Sequence, residues 1–159
     1  MQQYNNAYFM QAAIRLAFDG MRSGQGGPFG AVVVKAGEII GRGNNQVAAT
    51  LDPTAHAEVV AIREACRHLG YFQLDDCVLY TSCEPCPMCL GAIYWARPKA
   101  FFFACTKADA AAIGFDDQFI YDELELPFGE RRIPAFPLLR EESLVAFEEW
   151  RQLENKIVY

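Results

Sequence analysis

Two short motifs constrain this chain more than anything else in it. His56-Ala57-Glu58 precedes an apolar helical pattern, and Pro85-Cys86-Pro87-Met88-Cys89 precedes a second one. Asp52-Pro53-Thr54 supplies start signals for the first helix, a capping side chain followed by proline. Pro85 and Pro87 do the same for the second. The stretch between the motifs has room for one helix and one strand. Two residues apart in a helix interior would put His56 and Glu58 about 200° apart around the axis. They converge only where side chains reach around a helix end, in its first turn. Cys86 and Cys89, three apart, share one helix face.

The rest of the pattern agrees with an α/β chain. Residues 5–22 read as an amphipathic helix with Ala7, Met10, Ile14, Ala17, Phe18 and Met21 inward, and Gly24 as its stop. AVVVK and EIIGRGNN flank a short Ala-Gly turn and read as a hairpin. Val59, Ile62, Cys66 and Leu69 form the expected buried stripe of the helix that stops at Gly70. CVLYTS (77–82) and AFFFAC (100–105) read as buried strands around the helix MCLGAIYWA, which Pro98 ends. Residues 107–125 look helical in pieces, with Asp116 and Asp117 as capping candidates. A proline-punctuated stretch (127–137) leads to a last helix near 142–155 carrying Leu144, Phe147, Trp150 and Leu153 on one side. Alternation of this kind predicts helices on both faces of one sheet, in a single domain over 1–159.

Fourteen basic against twenty acidic side chains leave a net charge of −6. That balance disfavours a broad grip on nucleic acid or on an anionic membrane. No apolar run is long enough to span a bilayer, and the first residues lack a secretion-signal pattern. The expectation is a cytoplasmic protein with its six cysteines reduced. Cys66, Cys77 and Cys105 lie in apolar stretches and read as small buried hydrophobes.

Chemistry concentrates at the two motifs. Two thiolates and an imidazole can hold Zn²⁺ with a fourth position open to water. Helix N-termini favour negative charge and help keep Cys86 and Cys89 deprotonated. Zinc lowers the pKa of its water toward about 7, so hydroxide is available as a nucleophile. Glu58, close to that water but not bound to zinc, can move protons between water, a ring nitrogen and departing ammonia. H-x-E followed by P-C-x-x-C is the pattern of zinc nucleobase deaminases. The same residues also fit a closed structural site in which Cys83 joins His56, an iron–sulfur site, or a thiol redox pair. A structural site leaves Glu58 unexplained, and no fourth cysteine follows at ferredoxin spacing. The glycine-rich stretch 24–30 fails as a phosphate loop, because a helix precedes it and a strand follows. His68, near a helix end, has a structural role as its simplest reading.

NNQ (44–46), DPTAHAEVVAIR (52–63), LYTSCEPCPMCLGAIYWARP (79–98) and GFDDQFIYDEL (114–124) resemble the cytidine-deaminase-like superfamily. Within it, the chain resembles the bacterial guanine deaminases through its Phe-Asp-Asp segment and its ending, AFEEWRQLENKIVY. The resemblance implies a three-layer αβα fold with about five strands in a mixed sheet. It implies hydrolysis of guanine to xanthine and ammonia, with one zinc per subunit held by His56, Cys86 and Cys89 and with Glu58 moving protons. It also implies a homodimer whose segment 138–159 is exchanged between subunits. Carried over, Asn45 and Asp117 would hydrogen-bond the base, and Tyr159 would reach in from the second subunit. Phe29 is a candidate to stack on the purine. The shared zinc motifs leave tRNA adenosine and cytosine deaminases as the alternative.

Each substrate-binding assignment has a structural counterpart. The structural readings are that Asn45 shapes a turn, Asp117 caps a helix, and Phe29 packs beneath the sheet. Tyr159 matters only if the chain end is docked.

Overall fold

The structure, a computed structural model, describes residues 7–158. The chain divides into two compact units, residues 1–117 and 118–159.

The first unit opens with α1 (Ala7–Arg22), followed by the hairpin β1 (Gly30–Lys35) and β2 (Glu38–Asn44). Ala36 and Gly37 both take positive φ, 50° and 84°, as a tight hairpin turn requires. A short helix α2 (Val47–Thr50) leads to α3 (Ala57–Leu69), β3 (Cys77–Cys83), α4 (Pro87–Ala96), β4 (Ala100–Cys105) and α5 (Lys107–Ala112). The sheet order is β2-β1-β3-β4. β1 is antiparallel to both β2 and β3, whereas β3 and β4 are parallel. Four strands, rather than about five, make the mixed sheet among the described residues.

This topology decides where the helices start. Strands β2 and β3 both run opposite to β1, so they are parallel to each other. Each of α3 and α4 therefore follows one parallel strand and precedes the next. Both helices begin at the same end of the sheet, where the carboxyl ends of β2 and β3 lie.

Alternation along β1 sorts its side chains onto two faces. Ala31 and Val33 join Ala57, Ala61 and Ala65 of α3 and Ile93 and Ala96 of α4. Val32 and Val34 join Phe9 and Ala13 of α1, with Val78 and Tyr80 of β3. The result is helix, sheet, helix. Every residue of β3 is buried, as a central strand covered on both faces must be. Full burial of a valine or leucine such as Val32 or Leu79 contributes about 1.5–3 kcal/mol relative to exposure.

Several sequence expectations need correction. The inward face of α1 is Phe9, Ala13, Ala17 and Gly20; Ala7, Phe18 and Met21 are exposed. Helix α3 packs mainly through Ala57, Ala61 and Ala65, with Ile62, Cys66 and Leu69 only partly buried at its flank. The reason is close approach to β2. A Cβ on Gly41 would lie 2.4 Å from the Ala61 carbonyl oxygen, and one on Gly43 would lie 2.1 Å from that of Ala57. Large side chains would hold the helix off. Asp52 does not cap α3. Its Oδ1 accepts from the Thr54 amide and hydroxyl in a local turn, and the helix begins later, after His56. Strand β4 is an edge strand, partly buried at first and exposed toward Cys105. Cys105 is accordingly exposed and Cys66 half-buried, while Cys77 is buried as expected. Helix α5 is capped by Thr106 and Asp109 in a reciprocal box, while Asp116 and Asp117 immediately precede α6.

The second unit contains α6 (Gln118–Glu125), a 3-10 turn (Phe128–Glu130) and α7 (Arg140–Gln152). Arg132 pairs with Glu123 at 3.5 Å, and Arg131 lies over the Phe128 ring. The apolar stripe expected on the last helix is present, but Phe147, Trp150 and Leu153 are exposed in the single chain. No described helix is long and apolar enough to cross a membrane.

Candidate metal centre and cavity

His56 and Cys86 occupy equivalent places. Each is the N-cap of its helix, with extended backbone (φ −70°, ψ 155° and φ −65°, ψ 168°). Neither side chain turns back to cap its helix, so both are aimed outward. His56 Nδ1 lies 3.6 Å from Cys86 Sγ and 3.5 Å from Cys89 Sγ. With zinc–sulfur near 2.3 Å and zinc–nitrogen near 2.0–2.1 Å, a tetrahedral N–S edge is about 3.6 Å. The donor set therefore fits zinc as it stands. Among the described residues, no fourth His, Cys, Asp or Glu joins this group.

Cys83 is not part of this group. Its thiol donates to the Thr106 carbonyl at 3.6 Å, and burial pushes it up to about 11. Cys86 behaves in the opposite way. Contacts with Cys89 and with His56 hold it down at about 4. The contact with Cys86 pushes Cys89 up.

Glu58 sits in the first turn of α3, only 6% exposed. Its Oε1 accepts from the Thr81 hydroxyl at 3.1 Å, and its Oε2 accepts from Cys89 Sγ at 3.5 Å. Burial raises its pKa, partly offset by the Thr81 hydrogen bond. A carboxylate with raised proton affinity beside a metal site suits proton transfer in both directions.

A cavity of about 720 Å³ opens over this centre. Phe29, Asn45, His56, Glu58, Cys86 and Asp117 all line it. Asn45 is buried, and its Oδ1 accepts from the amides of Gly27 (3.3 Å) and Val47 (3.2 Å). With its oxygen engaged in this way, Asn45 offers a ligand its Nδ2 donor. Through the same contacts it shapes the turn after β2. Asp117 stands half-buried immediately before α6; burial raises its pKa, and the Cys86 charge adds to this. Phe29 packs against the core and lines the cavity as well. Tyr159 lies outside the described residues.

Three contributors were not singled out from the sequence. Thr81 orients Glu58 from a fully buried strand, where a hydroxyl carries no periodic signal. Gly26 admits the Asn45 side chain, since a Cβ there would lie 2.1 Å from its Oδ1. Phe115 closes the cavity wall beside Phe29. The loop signal of the glycine stretch was visible, but not the side chain it accommodates.

A family model for the cytidine and deoxycytidylate deaminase zinc-binding region matches residues 3–105. This chain belongs to that deaminase family. The deaminase is 58% identical over 155 residues to guanine deaminase of Bacillus subtilis, covering 98% of this chain and 99% of the relative. The X-ray structure of the B. subtilis protein superposes with a TM-score of 0.94 over the same shares. A tRNA-specific adenosine deaminase of Aquifex aeolicus is 37% identical over 95% of this chain and 97% of its own. A structure of guanine deaminase from Nitrosomonas europaea gives a TM-score of 0.65 at 30% identity, covering 87% of this chain and 70% of that one.

Proposed function

We propose that this deaminase converts guanine and water to xanthine and ammonia. The observation that carries the reading is the buried Glu58 carboxylate beside a three-donor set, facing a cavity lined by Asn45 and Asp117. Near-full-length identity to the B. subtilis guanine deaminase supports the choice of base.

His56, Cys86 and Cys89 would hold zinc, which when bound would lower the pKa of a water able to attack guanine C2. Glu58 takes the proton of the attacking water. It delivers protons to a ring nitrogen and to the departing amine, which leaves as ammonia. Thr81 holds Oε1, so Oε2 is the oxygen that faces the reacting atoms. Asn45 donates from Nδ2 to an acceptor on the base, for which O6 and N7 are available. Asp117 accepts from the N–H donors of N1 and N2. Phe29 packs on the purine face, and removing guanine from water strengthens these contacts.

The same reading takes residues 1–159 as one cytoplasmic deaminase domain acting as a homodimer. In it, segment 138–159 is the part exchanged between subunits, with Tyr159, outside the described residues, as its candidate substrate contact. The exposed Phe147, Trp150 and Leu153 support this, since such a stripe needs a cover.

The test is ammonia release from guanine by zinc-loaded protein, with Glu58→Ala as control. The Aquifex relative makes an adenosine-containing tRNA stem-loop the competing substrate. Turnover of the stem-loop but not of guanine would replace this reading. Sedimentation tests the dimer, and a monomeric active enzyme would remove the exchanged segment.

A further inference from the structure

Phe29 and Phe115 meet at right angles in the cavity wall, with ring centroids 4.9 Å apart and an interplanar angle of 89°. This is the edge-to-face arrangement that aromatic quadrupoles favour. Two independent features fix it. The first is the end of α5. Gly114 takes φ +92°, its amide donates to the Ala111 carbonyl, and the Phe115 amide donates to the Ala110 carbonyl. That pair of bonds is a Schellman close, which sets the direction of the residue after the glycine. The second is clearance at Gly27. A Cβ there would lie 2.8 Å from Phe115 Cζ and 3.0 Å from Phe29 Cε2. A side chain at residue 27 would force one of the two rings to shift.

We infer that Phe115 is a positioning residue that sets the attitude of the Phe29 ring toward a planar purine, and that Gly27 provides the space for it. The inference rests on the guanine reading above. Phe115 is not among the metal donors, and its edge-to-face contact is with Phe29. It therefore governs how well a flat base is held, not the chemistry at C2. Loss of the ring contact raises KM for guanine about two- to tenfold, as expected for an aromatic pair of this kind. The chemical step changes little.

The experiment compares Phe115→Leu, Phe115→Tyr, Gly27→Ala and the double variant Gly27→Ala/Phe115→Leu with wild type, all loaded with zinc. Steady-state kinetics on guanine are read beside zinc content and Tm. Phe115→Leu is expected to raise KM with kcat within about twofold and zinc unchanged. Phe115→Tyr, which keeps the ring, recovers most of the loss. Gly27→Ala raises KM too, and the double variant is no worse than the Leu variant plus a small residue, because the obstructed ring is gone. Unchanged KM in Phe115→Leu, or equal loss of kcat, zinc and Tm, overturns the inference and leaves Phe115 a packing residue. A wild type that does not turn over guanine overturns the functional reading instead.

Discussion

Gly43→Ala tests the link between the sheet and the metal centre. Gly43 lies in β2 directly beneath the start of α3. The added Cβ would meet the Ala57 carbonyl oxygen at 2.1 Å and the Ala61 nitrogen at 2.6 Å. Both are backbone atoms, so no rotamer change relieves the clash. Ordinary contact begins near 3.4 Å. The helix must therefore rise from the sheet by on the order of 1 Å, and overpacking of this kind costs about 1–3 kcal/mol. For a chain of this size that lowers Tm by roughly 3–10 °C. The displaced segment carries His56 and Glu58, so activity falls further than stability alone requires. A misplacement of about 1 Å can reduce kcat about a hundredfold. Thermal melting and guanine kinetics at saturating zinc measure the two effects. Gly37→Ala is the control. A Cβ there meets nothing within 4 Å, but φ is +84°, so stability drops while kcat holds. Wild-type Tm and kcat in Gly43→Ala would refute the argument that close helix–strand approach seats the centre.

Three further outcomes follow from named contacts. Thr81→Val removes the donor to Glu58 Oε1, and loss of a hydrogen bond to a charged group predicts a fall in kcat of about 10- to 100-fold with zinc retained; unchanged kcat would mean that Thr81 does not orient the carboxylate. Cys86→Ala should lose bound zinc, whereas Cys83→Ala should keep it, because the Cys83 thiol is engaged by the Thr106 carbonyl; metal analysis of both purified proteins decides. Thr106→Ala, which removes the α5 cap, should cost about 1 kcal/mol at neutral pH. Hydrogen bonds from Thr106 hold the Asp109 carboxyl below the usual carboxylate range, so its contribution is present above about pH 4 and lost as pH falls through the folded value. The difference between wild type and Thr106→Ala should therefore shrink in acid, and a difference that grows in acid would refute the assignment.

Much of this protein is legible without coordinates because its punctuation is local. Gly70 and Pro98 stop helices by backbone constraint alone, and the Ala-Gly hairpin turn and the strand residues Cys77–Ser82 follow from short-range rules. The His56–Cys86–Cys89 group and the nearby Glu58 were also readable as a cluster, since that chemistry restricts residue type and spacing together. The burial of particular faces was less accessible. Helix α1 is apolar around much of its girth, so composition does not say that Phe9 is buried and Phe18 exposed. The AFFFAC segment looks like a core strand and is an edge, because strand order is not written in any one strand.

Residue identity alone determined that this chain carries an imidazole, two thiolates and a nearby carboxylate, each at the tip of a helix, since metal affinity and helix initiation are properties of single residues and their immediate neighbours. Only the tertiary structure decided that the two tips meet within bonding range of one cation, that Thr81 restrains Glu58, and that Asn45 presents its nitrogen instead of its oxygen. Those facts depend on parallel strands placing distant segments at one end of the sheet, and on glycines that let backbones approach, and neither is a local property.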